Sequence, residues 1–260
     1  MKLRRRLGSV LLLSALVSQG ARAQPDQGEA GRRLAELEQR LDEELQGWTA
    51  IYRSAATEEE REALRAEFPR QEYVDELTAI AGEAQGTDVA ARAWLGVFRL
   101  ASKLDDRVLF TRALERLLAD HIASPEVASL SLELVYGAPP WSAQPAADAL
   151  RRILAASQDA SVQANCLAEL ALLVGLDDSF GAAGRAEAGT LLARIERDFG
   201  DQDFIGMSGK QFAAGARFEI ENLRVGQVAP EFEVVDQDGV RFKLGDYRGR
   251  VVVLDFWGFV

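Results

Sequence analysis

Two helical signals recur along this chain, and their recurrence narrows the possible folds more than any other feature. Thr87-Asp88 precedes Val89, Ser124-Pro125 precedes Val127, and Asp159 precedes Val162. Each opens with a residue whose side chain accepts from free N–H groups at a helix start, and Pro125 suits a first turn. The three valines are 38 and 35 residues apart. Between them, Ala113-Leu-Glu-Arg-Leu-Leu-Ala119 matches Ala149-Leu-Arg-Arg-Ile-Leu-Ala155, and Leu192-Ala-Arg-Ile-Glu196 is a looser third copy. A unit of two helices about 35 to 42 residues long cannot bury its apolar face alone, so such units stack. The expectation for residues 72–199 is antiparallel helix pairs. An α-solenoid is one arrangement and a non-repeating helical bundle is the other.

The flanking sequence extends this helical region to residues 24–222. Leu34, Leu37, Leu41, Leu45, Trp48 and Tyr52 recur at steps of three and four, the stripe of an amphipathic helix. Thr57-Glu58-Glu59-Glu60 reads as a capping box opening a second helix, with Leu64 and Phe68 inward and a break near Pro69. Tyr136-Gly-Ala-Pro-Pro-Trp141 reads as a loop. Ser208-Gly-Lys-Gln211 is a second capping box, with its helix running to about Asn222. The polar stretch Gln24 to Gly31 is expected to lack regular structure.

Residues 1–23 read as a signal peptide. Lys2, Arg4, Arg5 and Arg6 form a basic start, Leu7 to Val17 is apolar but short for a bilayer, and Ala21-Arg22-Ala23 is a small-x-small cleavage pattern. The implied destination is the periplasm or the exterior. Without these five basic residues the formal charge moves from −11 to −16. So acidic a chain offers no footing for nucleic-acid phosphates or anionic lipid. No later stretch is long and apolar enough to span a membrane.

The chemistry-bearing residues are few. The one cysteine, Cys166, shares a helical face with Val162, Leu170 and Val174, the pattern of a small buried hydrophobe. No cation or base is near it in sequence to lower its pKa. The single histidine, His121, excludes His-rich metal sites, and no metal or cofactor is expected. Asp105-Asp106 and Asp177-Asp178 fall at helix boundaries, where capping is the ordinary role. Gly-rich phosphate-binding motifs are absent.

After Asn222 the texture changes. Val225-Gly-Gln-Val-Ala-Pro230 is turn-rich. Phe232 and Val234, then Val240, Phe242 and Leu244, alternate in and out around Asp238-Gly239, a hairpin signal over residues 231–244. Residues 251–256 are apolar on both faces apart from Asp255, which suits a central strand. Gly226 to Phe232, Asp238-Gly239, Leu244-Gly-Asp-Tyr-Arg-Gly-Arg250 and Val251-Val-Val-Leu-Asp-Phe-Trp257 occur in order. Together they resemble the start of a thioredoxin-like redoxin, in the group of alkyl hydroperoxide reductase/thiol-specific antioxidant and thiol–disulfide interchange proteins.

The resemblance implies a truncated domain over 223–260, ending just before the redox cysteine position. It also implies an exported oxidoreductase acting on protein disulfides or peroxides in antioxidant and redox-homeostasis roles. Asp255 matches the family's buried strand carboxylate, which assists proton transfer, and Trp257 matches the aromatic beside the redox motif. The redox cysteines are absent from these 260 residues, so this chain is expected to be inactive by itself. The alternative is a non-enzymatic helical-repeat protein of the cell envelope that binds a protein partner.

Overall fold

The computed structural model describes residues 28–136, 139–204 and 207–254. The leader at 1–23, and Asp255 and Trp257 with the rest of 255–260, lie outside the described residues. Contacts among the described residues divide the chain into two compact units, 28–191 and 192–254.

Several helices of the first unit open on side-chain caps, at Thr57, Thr87, Asp106, Ser124 and Asp159. Helix α1 (Gly28–Ser54) buries Leu34, Leu37, Leu41 and Leu45 along one stripe. It starts at Gly28, so residues 28–31 of the segment expected to lack regular structure are instead its first turn, and residues 24–27 lie outside the described residues. Helix α2 (Glu58–Glu67) opens on the Thr57 box: Glu60 N–H donates to Thr57 Oγ1 at 3.2 Å, and Glu60 Oε2 accepts from Thr57 N–H at 3.1 Å. Pro69 ends it, because a residue before proline is pushed out of helical geometry, and Phe68 is extended at φ −64°, ψ 131°.

Helices α3 (Arg70–Glu83), α4 (Asp88–Lys103) and α5 (Arg107–Asp120) follow with short connections. Between α4 and α5, Asp105 takes the left-handed region at φ 56°. This lets Asp106 N–H return to the Ala101 carbonyl at 2.9 Å, closing the end of α4. Asp106 then caps α5, accepting from Leu109 N–H at 3.0 Å.

The helix after Ser124-Pro125 is broken in two, α6 (Pro125–Ala128) and α7 (Leu130–Tyr136). Serines at the break explain this. The Ser129 and Ser131 hydroxyls donate to the carbonyls of Glu126 and Ala128 at 2.9 and 3.1 Å, local bonds that compete with a helical ladder. A 3₁₀ turn at Pro140–Ser142 then leads into α8 (Ala143–Ala156), α9 (Ala160–Leu176) and α10 (Gly181–Asp198), and the division between the units falls within α10.

The pairing follows from which ends meet. Arg70, at the start of α3, bonds Asp106, at the start of α5, at 2.9 Å. Asp88, at the start of α4, accepts from Ser124 Oγ, at the start of α6, at 2.7 Å. The starts of α3 and α5 thus lie at one end, and those of α4 and α6 likewise lie together. Several polar contacts share a similar sequence separation: 36 for Arg40–Glu76, Arg70–Asp106, Asp88–Ser124, Asp105–Trp141 and Arg151–Glu187, and 34 for Arg99–Glu133 and Arg152 to the Leu118 carbonyl. Others differ, such as Arg33–Glu83 at 50 and Arg92–Glu38 at 54. Helix pairs of similar length repeated along a chain would give the shared separation. The core beneath holds Leu77, Phe98, Leu100, Phe110, Leu117, Leu130 and Leu150, all fully buried.

In the second unit, Leu192 and Ile195 at the end of α10 are buried, as are Ala213, Ala216 and Ile220 of α11 (Gly209–Asn222). Arg217 pairs with Glu196 at 2.9 Å. The Ser208 box forms, with Gln211 N–H donating to Ser208 Oγ at 3.3 Å and Ser208 N–H donating back to Gln211 Oε1 at 2.8 Å. Strands β1 (Glu233–Val235) and β2 (Arg241–Lys243) then form an antiparallel pair, in the register Glu233↔Lys243, Val234↔Phe242, Val235↔Arg241. The molecule is thus mainly α, followed by a small β portion.

Candidate functional site

Two places carry the residues that the sequence singled out. The first is the segment after α11. Its hairpin turn is closed by Asp236, whose Oδ1 accepts from Asp238 N–H and Val240 N–H, both at 2.9 Å. Gly239 sits at φ 79°, where a side chain would be strained. The Asp238-Gly239 signal therefore does its work at the end of a wider turn. A 3₁₀ turn at Leu244–Tyr247 follows. Its backbone is held by two carboxylates: Asp246 Oδ2 accepts from Lys243 N–H at 2.9 Å, and Glu231 Oε1 accepts from Gly245 N–H at 2.8 Å. The Tyr247 ring meets Phe242 edge-on, with centroids 5.9 Å apart.

The strand expected at 251–256 is not formed over its described part. Residues 251–254 have no ladder partner among the described residues, and Val251 is 96% exposed. The physical reason is that an all-apolar strand gains stability from neighbours on both edges and cover on both faces, and the local chain supplies neither. Asp255 and Trp257, assigned by resemblance to proton transfer and to packing beside a redox motif, lie outside the described residues.

The second place is Cys166, on α9. The thiol is fully buried. Burial, with the nearby Glu169 carboxylate adding to it, pushes its pKa up from 9.0 to about 12. A reactive cysteine requires the reverse, a pKa lowered by cations or a helix N-terminus. Cys166 is a core residue, as the apolar stripe through Val162 and Leu170 indicated.

One aspartate of each pair acts as a cap: Asp106 caps α5, and Asp177 accepts from Ser179 N–H at 2.9 Å. Asp105 Oδ1 instead accepts from Trp141 Nε1 at 2.8 Å. His121 closes the end of α5 through its backbone, at 3.1 Å to the Leu117 carbonyl. No group of three or more His, Cys, Asp or Glu side chains able to hold a metal ion occurs among the described residues. No described helix is long and apolar enough to cross a membrane.

One feature escaped the sequence reading. On α4, Asp88, Arg92 and Arg99 keep some solvent contact, while Ala90, Ala91 and Ala93 to Phe98 are buried. Arg92 is held by both oxygens of Glu38 from α1, and Arg99 by Glu133 from α7 at 2.6 to 3.0 Å. Glu126 on α6 completes the row. Burial raises its pKa, opposed by Arg92 and reinforced by Asp88 and Glu38. The signal was available as opposite charges spaced about one repeat apart, such as Arg99 and Glu133. It takes known helix partners to make such spacing meaningful.

No family model, curated protein or solved structure matches this chain.

Proposed function

We propose that this protein is an exported thioredoxin-like oxidoreductase of redoxin type, directed at protein disulfides or peroxides, with a helical region that serves as an interaction scaffold. The observation carrying this reading is the ordered series from Gly226 to Trp257: proline-bearing entry, hairpin, Leu-x-Asp-Tyr-Arg-Gly turn and valine run. The hairpin expected within that series is present as the paired β1 and β2, whereas the strand expected at 251–256 is not formed over its described part. The chemistry needs a thiolate with a lowered pKa. Cys166, buried and pushed the other way, does not supply it.

The test is the coding sequence downstream of Val260. A Cys within a few codons, followed by an alternating strand and helix pattern, supports the reading, and a stop codon directly after Val260 overturns it. Purified protein of these 260 residues should show no insulin-disulfide reduction and no dithiol peroxidase turnover, because dithiol cycling needs two cysteines and the sequence holds one.

A second reading, a non-enzymatic scaffold of the cell envelope, is favoured by the 34- to 36-residue separation shared by several of the polar contacts between elements. Stacked helix pairs present extended binding surfaces without any catalytic group. The coding sequence after Val260 separates the two: a Cys within a few codons favours the oxidoreductase, and a stop codon directly after Val260 leaves the scaffold, whose partner affinity capture with the 28–222 region would then identify.

A further inference from the structure

We draw no further inference here: the strongest candidate, the exposed apolar surface that Val234, Val235, Val240 and Val251 to Leu254 present on the C-terminal hairpin and the segment after it, carries nothing because nothing in the structure shows what covers it.

Discussion

Cys166 shows how environment sets a residue's chemistry. Its thiol is sealed within α9 and its pKa is raised to about 12 from 9.0. At pH 8 this leaves roughly a thousandfold less thiolate than in an exposed cysteine. Alkylation by iodoacetamide should therefore be slow in native protein and fast in denaturant, and rapid native labelling would contradict the burial. The linked stability has a definite sign. The folded state holds the thiol proton more tightly than the unfolded state does. The contribution is fully present below pH 9, and it is lost as pH rises from about 9 towards 12. Urea denaturation at pH 8 and pH 10.5 should show a drop that is smaller in Cys166→Ala.

Two glycines of α10 give opposite expectations. A Cβ on Gly184 would lie 2.3 Å from Phe180 Cβ and 2.4 Å from the Val174 carbonyl oxygen, whereas one on Gly189 meets nothing within 4 Å. Gly184→Ala should destabilise by about 1–3 kcal/mol through overpacking. Gly189→Ala should stabilise by roughly 0.5–1 kcal/mol through helix propensity. Thermal melts of the two variants check both.

At the scale of elements, the helices were the readable part, because a cap and a stripe are local. Asp159 illustrates this. It precedes the stripe of α9, and its carboxylate accepts from Ser161 and Val162 N–H at 2.8 and 3.1 Å. Asp159→Ala should cost about 1 kcal/mol, and Asp159→Asn should recover most of it. The β portion depends on partners the local chain does not provide. A two-stranded ribbon is marginal in water, and both strands have exposed residues at each end of the pairing. Hydrogen exchange at residues 233–243 should be far faster than at the buried stretch of α4, and residues 251–254 should show no protection. Protection at Val252 equal to that of Leu100 would mean that the run is paired in solution.

At the scale of the whole molecule, the ion pairs and the core divide their roles. The pair Arg151–Glu187 spans the 36-residue separation at 2.8 Å with both side chains about one-third exposed. Solvent screening limits such a pair to roughly 0–1 kcal/mol. A double-mutant cycle on the two residues should give coupling of that order or less. Leu117→Ala, which opens a cavity in a fully buried part of the core, should cost about 2–5 kcal/mol. Apolar burial is therefore expected to contribute far more to the stability of the helical unit than its charged contacts do. Residues 224–229 are largely exposed and without regular structure. Limited proteolysis should cut there first and release a helical fragment that keeps its circular dichroism.

The sequence alone determined what depends on neighbours a few residues away. The caps at Thr57, Thr87, Ser124, Asp159 and Ser208, the stripe of α1, and the turn around Gly239 all follow from local hydrogen bonding and 3.6- or 2-residue periodicity. Asp106 and Asp177 were legible as caps, and Cys166 as core, for the same reason. Tertiary structure decided what depends on distant partners. Only packing shows that Arg92 and Arg99 of α4 are held by Glu38 and Glu133 from separate helices. Only packing shows that Val251 to Leu254 stays uncovered. The break at Ser129 lies between these extremes. Its serine bonds are local, yet the pattern through Val127 and Leu130 fits an unbroken helix equally well. Periodicity reports which face is apolar, but it does not report what lies against that face, and that second fact sets both the core and the candidate site.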